Sequence, residues 1–161
     1  MSSLTNFQKV ANEFNGAFGV NTNTTPQHNL FDSDPKLVNY RLSLINEEVD
    51  ELKDAISKKD IVETIDALSD ILYVVYGAYT AFGVDADAAF DLVHKSNMSK
   101  LCKTEEEAIR TVESYKNDER YDSPAYRLSP DGSYYVVYNR STNKILKSIE
   151  YNPVSFDSLL K

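Results

Sequence analysis

The sequence predicts an antiparallel all-α helical bundle carrying a small C-terminal β-hairpin extension, and three observations lead there. Apolar residues recur at alternating spacings of three and four through most of the first hundred residues. Cap and turn residues leave short connections between these stretches, as in an up-and-down bundle. Past the Pro130-Asp131-Gly132 turn the pattern changes to short runs rich in tyrosine, valine and isoleucine.

Phe7, Val10, Ala11, Phe14 and Phe18 share one helical face, so residues 3–18 are expected to form a first amphipathic helix ending near Gly19. Residues 19–34, with Asn21-Thr22-Asn23-Thr24-Thr25-Pro26, read as a polar loop. Asp34 before Pro35 opens a second helix, because a capping side chain precedes a residue that needs no amide hydrogen. Its packing stripe is Leu42, Ile45, Val49, Leu52 and Ile56. Ser57-Lys58-Lys59-Asp60 interrupts that stripe, and Asp60 with Glu63 has capping-box spacing for a third helix. Ile61, Ile65, Leu68, Leu72, Val75 and Tyr79 form the next stripe. Beyond Asp70 the third helix is apolar on nearly every face, which predicts a place at the centre of the fold.

Gly83 ends the third helix, Asp85 caps a fourth to about Lys100, and Thr104 with Glu107 caps a fifth through about Tyr115. The predicted hairpin pairs Tyr134–Tyr138 with Lys144–Ile149 through Asn139–Asn143. The expected division is a bundle core over residues 1–103 and an extension over 104–161, without internal repeats. The extension's tyrosines, Tyr121, Tyr126, Tyr134, Tyr135 and Tyr138, can pack on the bundle, cover a subunit interface or wall a base pocket.

A chain of 161 residues with 42% hydrophobic content has room for one core and a small appendage. Its net charge of -8 argues against a nucleic-acid polymer as partner, since no basic patch is there to neutralise a run of phosphates. A small anionic substrate needs a cation and a few local lysines or arginines instead. Cys102 stands alone, so no intrachain disulfide forms, and the opening Met-Ser-Ser-Leu-Thr-Asn lacks a basic region followed by an apolar one. These features predict a cytoplasmic, intracellular protein. The apolar stretch Ile71–Val84 is broken by Gly77, Thr80 and Gly83 and is too short to span a bilayer, so no membrane association is expected.

Against this apolar background stand two acidic clusters, Glu47-Glu48-Val49-Asp50-Glu51 and Glu63-Thr64-Ile65-Asp66. Helical rotation places Glu48 at the edge of the second helix's stripe with Glu51 one turn away, while Glu63, Asp66 and Asp70 form a row that runs into Val74, Gly77 and Ala78. Antiparallel packing through residues 57–60 lets these rows approach and ring a single point. Like charges at such spacings destabilise a helix by roughly 0.2–0.5 kcal/mol per pair, so the rows imply a bound cation. All-oxygen ligation selects a hard ion, Mg²⁺ or Mn²⁺. Blander roles compete: Glu47, Asp50 and Asp54 fit a solvated face, Asp50 and Asp54 above all, and Glu63 fits the capping partner of Asp60.

The fourth helix ends Val93-His94-Lys95-Ser96-Asn97-Met98-Ser99-Lys100. Asn97 is a candidate donor to phosphate and Lys100 a candidate point charge, set against the alternative of an ordinary solvated last turn. With no second His nearby and no cysteine set, zinc is disfavoured.

Arg41-Leu42-Ser43-Leu44-Ile45-Asn46-Glu47-Glu48-Val49-Asp50-Glu51-Leu52, followed by Glu63-Thr64-Ile65-Asp66-Ala67-Leu68-Ser69-Asp70, resembles the EExxE and ExxD signature of the all-α nucleoside triphosphate pyrophosphohydrolases. Tyr73-Val74-Val75-Tyr76-Gly77 and Ser96-Asn97-Met98-Ser99-Lys100-Leu101 are similar to the MazG-like, phosphoribosyl-ATP-pyrophosphohydrolase-like branch. The likeness covers about residues 4–103. It implies Mg²⁺-dependent cleavage of a nucleotide between its α- and β-phosphates, releasing a monophosphate and pyrophosphate. By motif, Glu48, Glu51, Glu63 and Asp66 are the implied metal ligands, and Glu47 a further ligand or the base. Asp70 supports them from behind, because its own frame puts Ala67 where Glu is required. Asn97 and Lys100 match phosphate-contacting positions. A homodimer or homotetramer is implied, since subunits of the family complete one another's bundles.

Two other classes remain open from sequence. One is a catalytically silent bundle that binds a nucleotide or a protein partner, and the other is a metal-binding assembly protein. The poverty in histidine disfavours the di-iron bundles.

Overall fold

A computed structural model describes residues 3–161 of the chain. Thr5 starts the first helical run with a reciprocal cap, its hydroxyl accepting from the Gln8 amide while Gln8 Oε1 accepts from the Thr5 amide. The run has three pieces: α1 (Asn6–Gln8), a π-helix (Lys9–Phe14) and α2 (Asn15–Phe18), closed by Gly19 in the left-handed region. The single helix expected over 3–18 therefore begins at Asn6 and carries a π segment. Val10 and Asn15 lie five residues apart and are both buried, and the wider π turn brings both inward where a regular α-helix would turn one outward.

The segment expected as loop contains a short α3 (Leu30–Ser33), with Leu30 buried. The rest is tied to the end of α5 (Ile61–Phe82), where Asn23 Nδ2 donates to the Ala81 carbonyl at 2.7 Å and the Gln27 amide donates to the Phe82 carbonyl at 2.9 Å. A Cβ on Gly83 would lie 1.9 Å from the Thr25 carbonyl oxygen, and the residue has φ 69°, so glycine is required there twice over. α4 (Pro35–Lys58) starts where expected, Asp34 accepting from the Leu37 amide, and ends at left-handed Lys59. Asp60 Oδ1 accepts from the amides of Val62 and Glu63, while its own amide donates to the Ala55 carbonyl. The reciprocal arm of a capping box is thus taken by backbone.

α4 and α5 pack as an antiparallel hairpin. Ala55, Ala67 and Gly77 are buried small residues along its pairing, and they let the two backbones approach. The apolar stripes sit differently from expectation. On α5, Ile61, Ile65, Leu68 and Leu72 are exposed, Ile65 by 59% and Leu72 by 57%, and on α4 Leu42 and Ile56 are exposed as well. The face of α5 turned toward α4 is instead the row that passes through Asp70, Val74 and Gly77. The helix expected at the centre of the fold is therefore covered mainly over its C-terminal half, where α4, the N-terminal run (Phe14 against Tyr73, Asn15 against Thr80) and residues 156–160 meet it, while the larger side chains of its first three turns are left outside.

α6 (Ala86–Met98) is capped by Asp85, whose Oδ1 accepts from the amides of Asp87 and Ala88. The chain divides within this helix into two compact units, one reaching to Ala89 and including Phe156–Lys161, the other Phe90–Ser155. In the second unit α7 (Glu105–Tyr115) packs with an antiparallel pair, β1 (Pro124–Leu128) and β2 (Tyr135–Asn139), registered Ala125 to Tyr138 and Leu128 to Tyr135. The hairpin exists, but its strands are not those expected: Pro130-Asp131-Gly132 is its turn, and Lys144–Ile149 contributes only the isolated bridge of Ile145 to Tyr138. Cys102, Ala108, Val137 and Leu146 form this unit's buried core, with Tyr115, Tyr121, Tyr126 and Tyr135 around it. No single helix among the described residues is long and apolar enough to cross a membrane.

Candidate active site

The register of the α4/α5 hairpin decides which carboxylates meet. A Cβ on Gly77 would lie 3.0 Å from Arg41 Nη1, which places these two residues face to face. From that contact, moving one helical turn at a time along an antiparallel pair brings Leu44 to Tyr73 and Val74, then Glu48 to Asp70, Glu51 to Asp66, and Ala55 to Glu63. The cavities agree: Arg41, Leu44, Tyr73, Val74 and Gly77 line one, and Glu51, Ala55, Glu63 and Asp66 line another of about 390 Å³.

Glu48 is the half-buried member of the set, while Glu47, Glu51, Glu63, Asp66 and Asp70 are exposed. Its Oε2 is buried and has no hydrogen-bond partner. Burial, and after it the negative charges of Glu51, Asp70, Glu47 and Asp66, hold its carboxyl above the ordinary carboxylate range. Asp70 thus acts on Glu48 more strongly than Asp66 does, as the register requires. Glu63 lies further along the hairpin from Glu48, level with Ala55. It sits at the turn end of the hairpin, where its charge, with those of Asp54 and Asp60, acts on Lys58, whose Nζ donates to Asp54 Oδ2 at 2.6 Å.

No three His, Cys, Asp or Glu side chains among the described residues converge tightly enough to hold a metal ion, so the expected ring around one point is not drawn closed. The carboxylates stand as two facing rows instead, and mutual repulsion is sufficient reason for them to splay. The donor set still suits a hard cation. It is all oxygen, and one buried carboxylate oxygen lacks any donor, a deficit that a bound Mg²⁺ or Mn²⁺ removes.

The expected phosphate-binding pair lies in the second unit. Lys100 Nζ donates to Asn97 Oδ1 at 2.6 Å, so the two exposed side chains lie in contact. Their helix end is held by the tail: Ser96 Oγ and Ser99 Oγ both donate to the Asn152 carbonyl, the Asn152 amide donates to Ser99 Oγ, and the Ser148 amide donates to the Lys100 carbonyl. Two features escaped sequence reasoning. Asp70 stands opposite Glu48, which only the helix register reveals. Arg41 has its Nε buried without a partner, and two signals pointed to it: it lies seven residues, on the same face, before Glu48, and Gly77 sits unexpectedly inside a helix.

Known proteins place this arrangement. Residues 11–97 match the family model of phosphoribosyl-ATP pyrophosphohydrolase, a stretch that contains both acidic rows and the Asn97 position. A curated relative, "Uncharacterized protein L479" of Acanthamoeba polyphaga mimivirus, is 32% identical in an alignment spanning all of both chains. The model match covers more than half of the chain and takes in the whole α4/α5 hairpin with its facing carboxylates, and the protein therefore belongs to the phosphoribosyl-ATP pyrophosphohydrolase family, within the MazG-like all-α nucleoside triphosphate pyrophosphohydrolases.

Proposed function

We propose that the protein is a Mg²⁺-dependent nucleoside triphosphate pyrophosphohydrolase that cleaves between the α- and β-phosphates, in nucleotide-pool control. The observation that carries this reading is the unpartnered buried oxygen of Glu48, facing a second row of carboxylates in a family whose members are pyrophosphohydrolases. Glu48, Glu51 and Asp66 are the proposed ligands, and Asp70 takes the fourth place that the motif alone gives to Glu63. Mn²⁺ fits the same donors. When bound, the cation supplies charge neutralisation for the phosphates and polarisation at phosphorus.

The protein's own groups do the rest. Glu47, exposed beside Glu48, is the carboxylate left to accept a proton from the attacking water. Lys100, oriented by Asn97, is the charge proposed to meet the departing pyrophosphate. The exposed stripe Ile61, Ile65, Leu68 and Leu72 supports assembly as a homodimer or homotetramer, since an apolar ridge of that length on a helix calls for a second copy to cover it. Water enriched in ¹⁸O tests the reaction. Label in the nucleoside monophosphate or in pyrophosphate is the expected result, whereas label in orthophosphate with a nucleoside diphosphate as co-product refutes the assignment.

A further inference from the structure

The cavity of about 430 Å³ beyond the carboxylates is built for a flat, partly polar ring. Its aromatic lining is Phe14, Phe18, Tyr40 and Tyr73; Phe14 stacks on Phe18 at 4.4 Å and meets Tyr73 edge-on at 5.3 Å. The only charged group in the lining is Arg41, whose guanidinium occupies the slot left open by Gly77 and whose Nε is buried without an acceptor. The buried Asn15 also reaches the cavity. Its Nδ2 donates to Thr22 at 2.8 Å and to Thr80 at 3.1 Å, so its carbonyl oxygen is what it has left for a ligand. The π segment is what puts Val10, Phe14 and Asn15 on this one side.

We propose that this cavity takes the nucleobase of the substrate, and that Arg41 reads a base bearing ring carbonyls. The inference rests on the nucleotide reading above and names what that reading leaves open. Arg41 and Glu48 lie seven residues apart on one helix face, about 10 Å along the axis, which leaves room for a sugar between base and phosphates. Aromatic faces stack bases of any identity, so they provide affinity without choice. A guanidinium provides only donors, and it pairs best with adjacent acceptors such as O6 and N7 of guanine, or O2 and N3 of cytosine. Adenine sets an amino group beside each acceptor that Arg41 would otherwise pair with, and is the base least suited to the site.

The test is calorimetric binding of dGMP, dCMP, dTMP and dAMP to the full chain, together with inorganic pyrophosphate, with no turnover involved. Wild type is expected to bind dAMP weakest. Arg41→Met keeps the aliphatic stem and removes the donors; it is expected to weaken dGMP and dCMP about tenfold or more, dTMP less because its carbonyls flank the N3 hydrogen and accept singly, and to erase the advantage of all three over dAMP. Gly77→Ala presses a methyl group toward Arg41 Nη1 while favouring the helix, so it is expected to narrow the same advantage several-fold with an unchanged or higher Tm. Pyrophosphate binding stays unchanged in both variants. Equal losses for pyrophosphate and nucleotides in Arg41→Met would make Arg41 a phosphate ligand and overturn the proposal, as would unchanged nucleotide binding in both variants. Base selection through Arg41 in a protein that releases no pyrophosphate from any triphosphate would leave this inference standing and remove the reaction assigned above.

Discussion

Replacing Asp70 by Asn separates two ligand sets that the motif cannot separate. In EDTA, Asp70→Asn removes the like-charge pair with Asp66 one turn earlier, worth roughly 0.2–0.5 kcal/mol. At about 2–4 °C per kcal/mol for a chain of this size, Tm rises by about 0.4–2 °C. Glu63→Gln changes Tm little without metal, because the first-turn charge it loses, worth about 0.3–1 kcal/mol, is largely offset by relief of its own like-charge pair with Asp66, roughly 0.2–0.5 kcal/mol. Saturating Mg²⁺ reverses the ranking. At a hundredfold excess over Kd the wild type gains about 2.7 kcal/mol, or about 5–11 °C. Asp70→Asn is expected to lose most of that gain and Glu63→Gln to keep it, with unfolding followed by circular dichroism at one protein concentration. A full Mg²⁺ shift in Asp70→Asn together with its loss in Glu63→Gln refutes the register-based set and restores Glu63.

The raised pKa of Glu48 gives a pH signature. Its folded pKa lies above the unfolded value near 4.5, so in EDTA its own contribution to stability is expected to grow as pH falls toward 5, read as the difference between wild type and Glu48→Gln in denaturant titrations across pH. Mg²⁺ affinity is expected to fall over the same window, as protons compete for the site. Ile65→Lys combined with Leu72→Lys is expected to yield a folded monomer where the wild type sediments as a dimer or tetramer; unchanged assembly would move the interface off this stripe. Lys100→Ala is expected to lower triphosphate turnover by tenfold or more, on the order of one lost electrostatic contact, with Lys100→Arg intermediate in pyrophosphate-release assays; wild-type rates in Lys100→Ala would remove it from the site.

Helix boundaries were legible wherever a local signal decides them. Asp34-Pro35, Asp60 and Gly83 each act through hydrogen bonds or backbone angles within a few residues, and the structure uses all three. What depends on distant partners was not legible. β1 begins at Pro124 and owes its existence to β2, and the run Lys144–Ile149 has strand composition but gains only a bridge. Periodicity located the apolar stripe of α5 but not what lies against it, since Ala67 and Gly77, too small to weigh in a hydrophobic pattern, carry the close approach to α4. The residue types were enough to suggest the all-oxygen donor set on which the proposed chemistry rests. The choice between Glu63 and Asp70 was not, because a slip between two helices exchanges one acidic residue for another without altering either motif.

The order in which the polypeptide emerges during synthesis gives the two compact units different histories. Phe90–Ser155 is one uninterrupted stretch and can settle as soon as it is made. The other unit has to wait, because Phe156, Leu159 and Leu160 line a groove beside Val75, Tyr79 and Phe82, residues translated some eighty positions earlier. Until then α5 shows water an apolar flank on this side as well as along its outward stripe, so the nascent α4/α5 hairpin is the stage at which a chaperone has most to hold and at which premature association between chains is most probable.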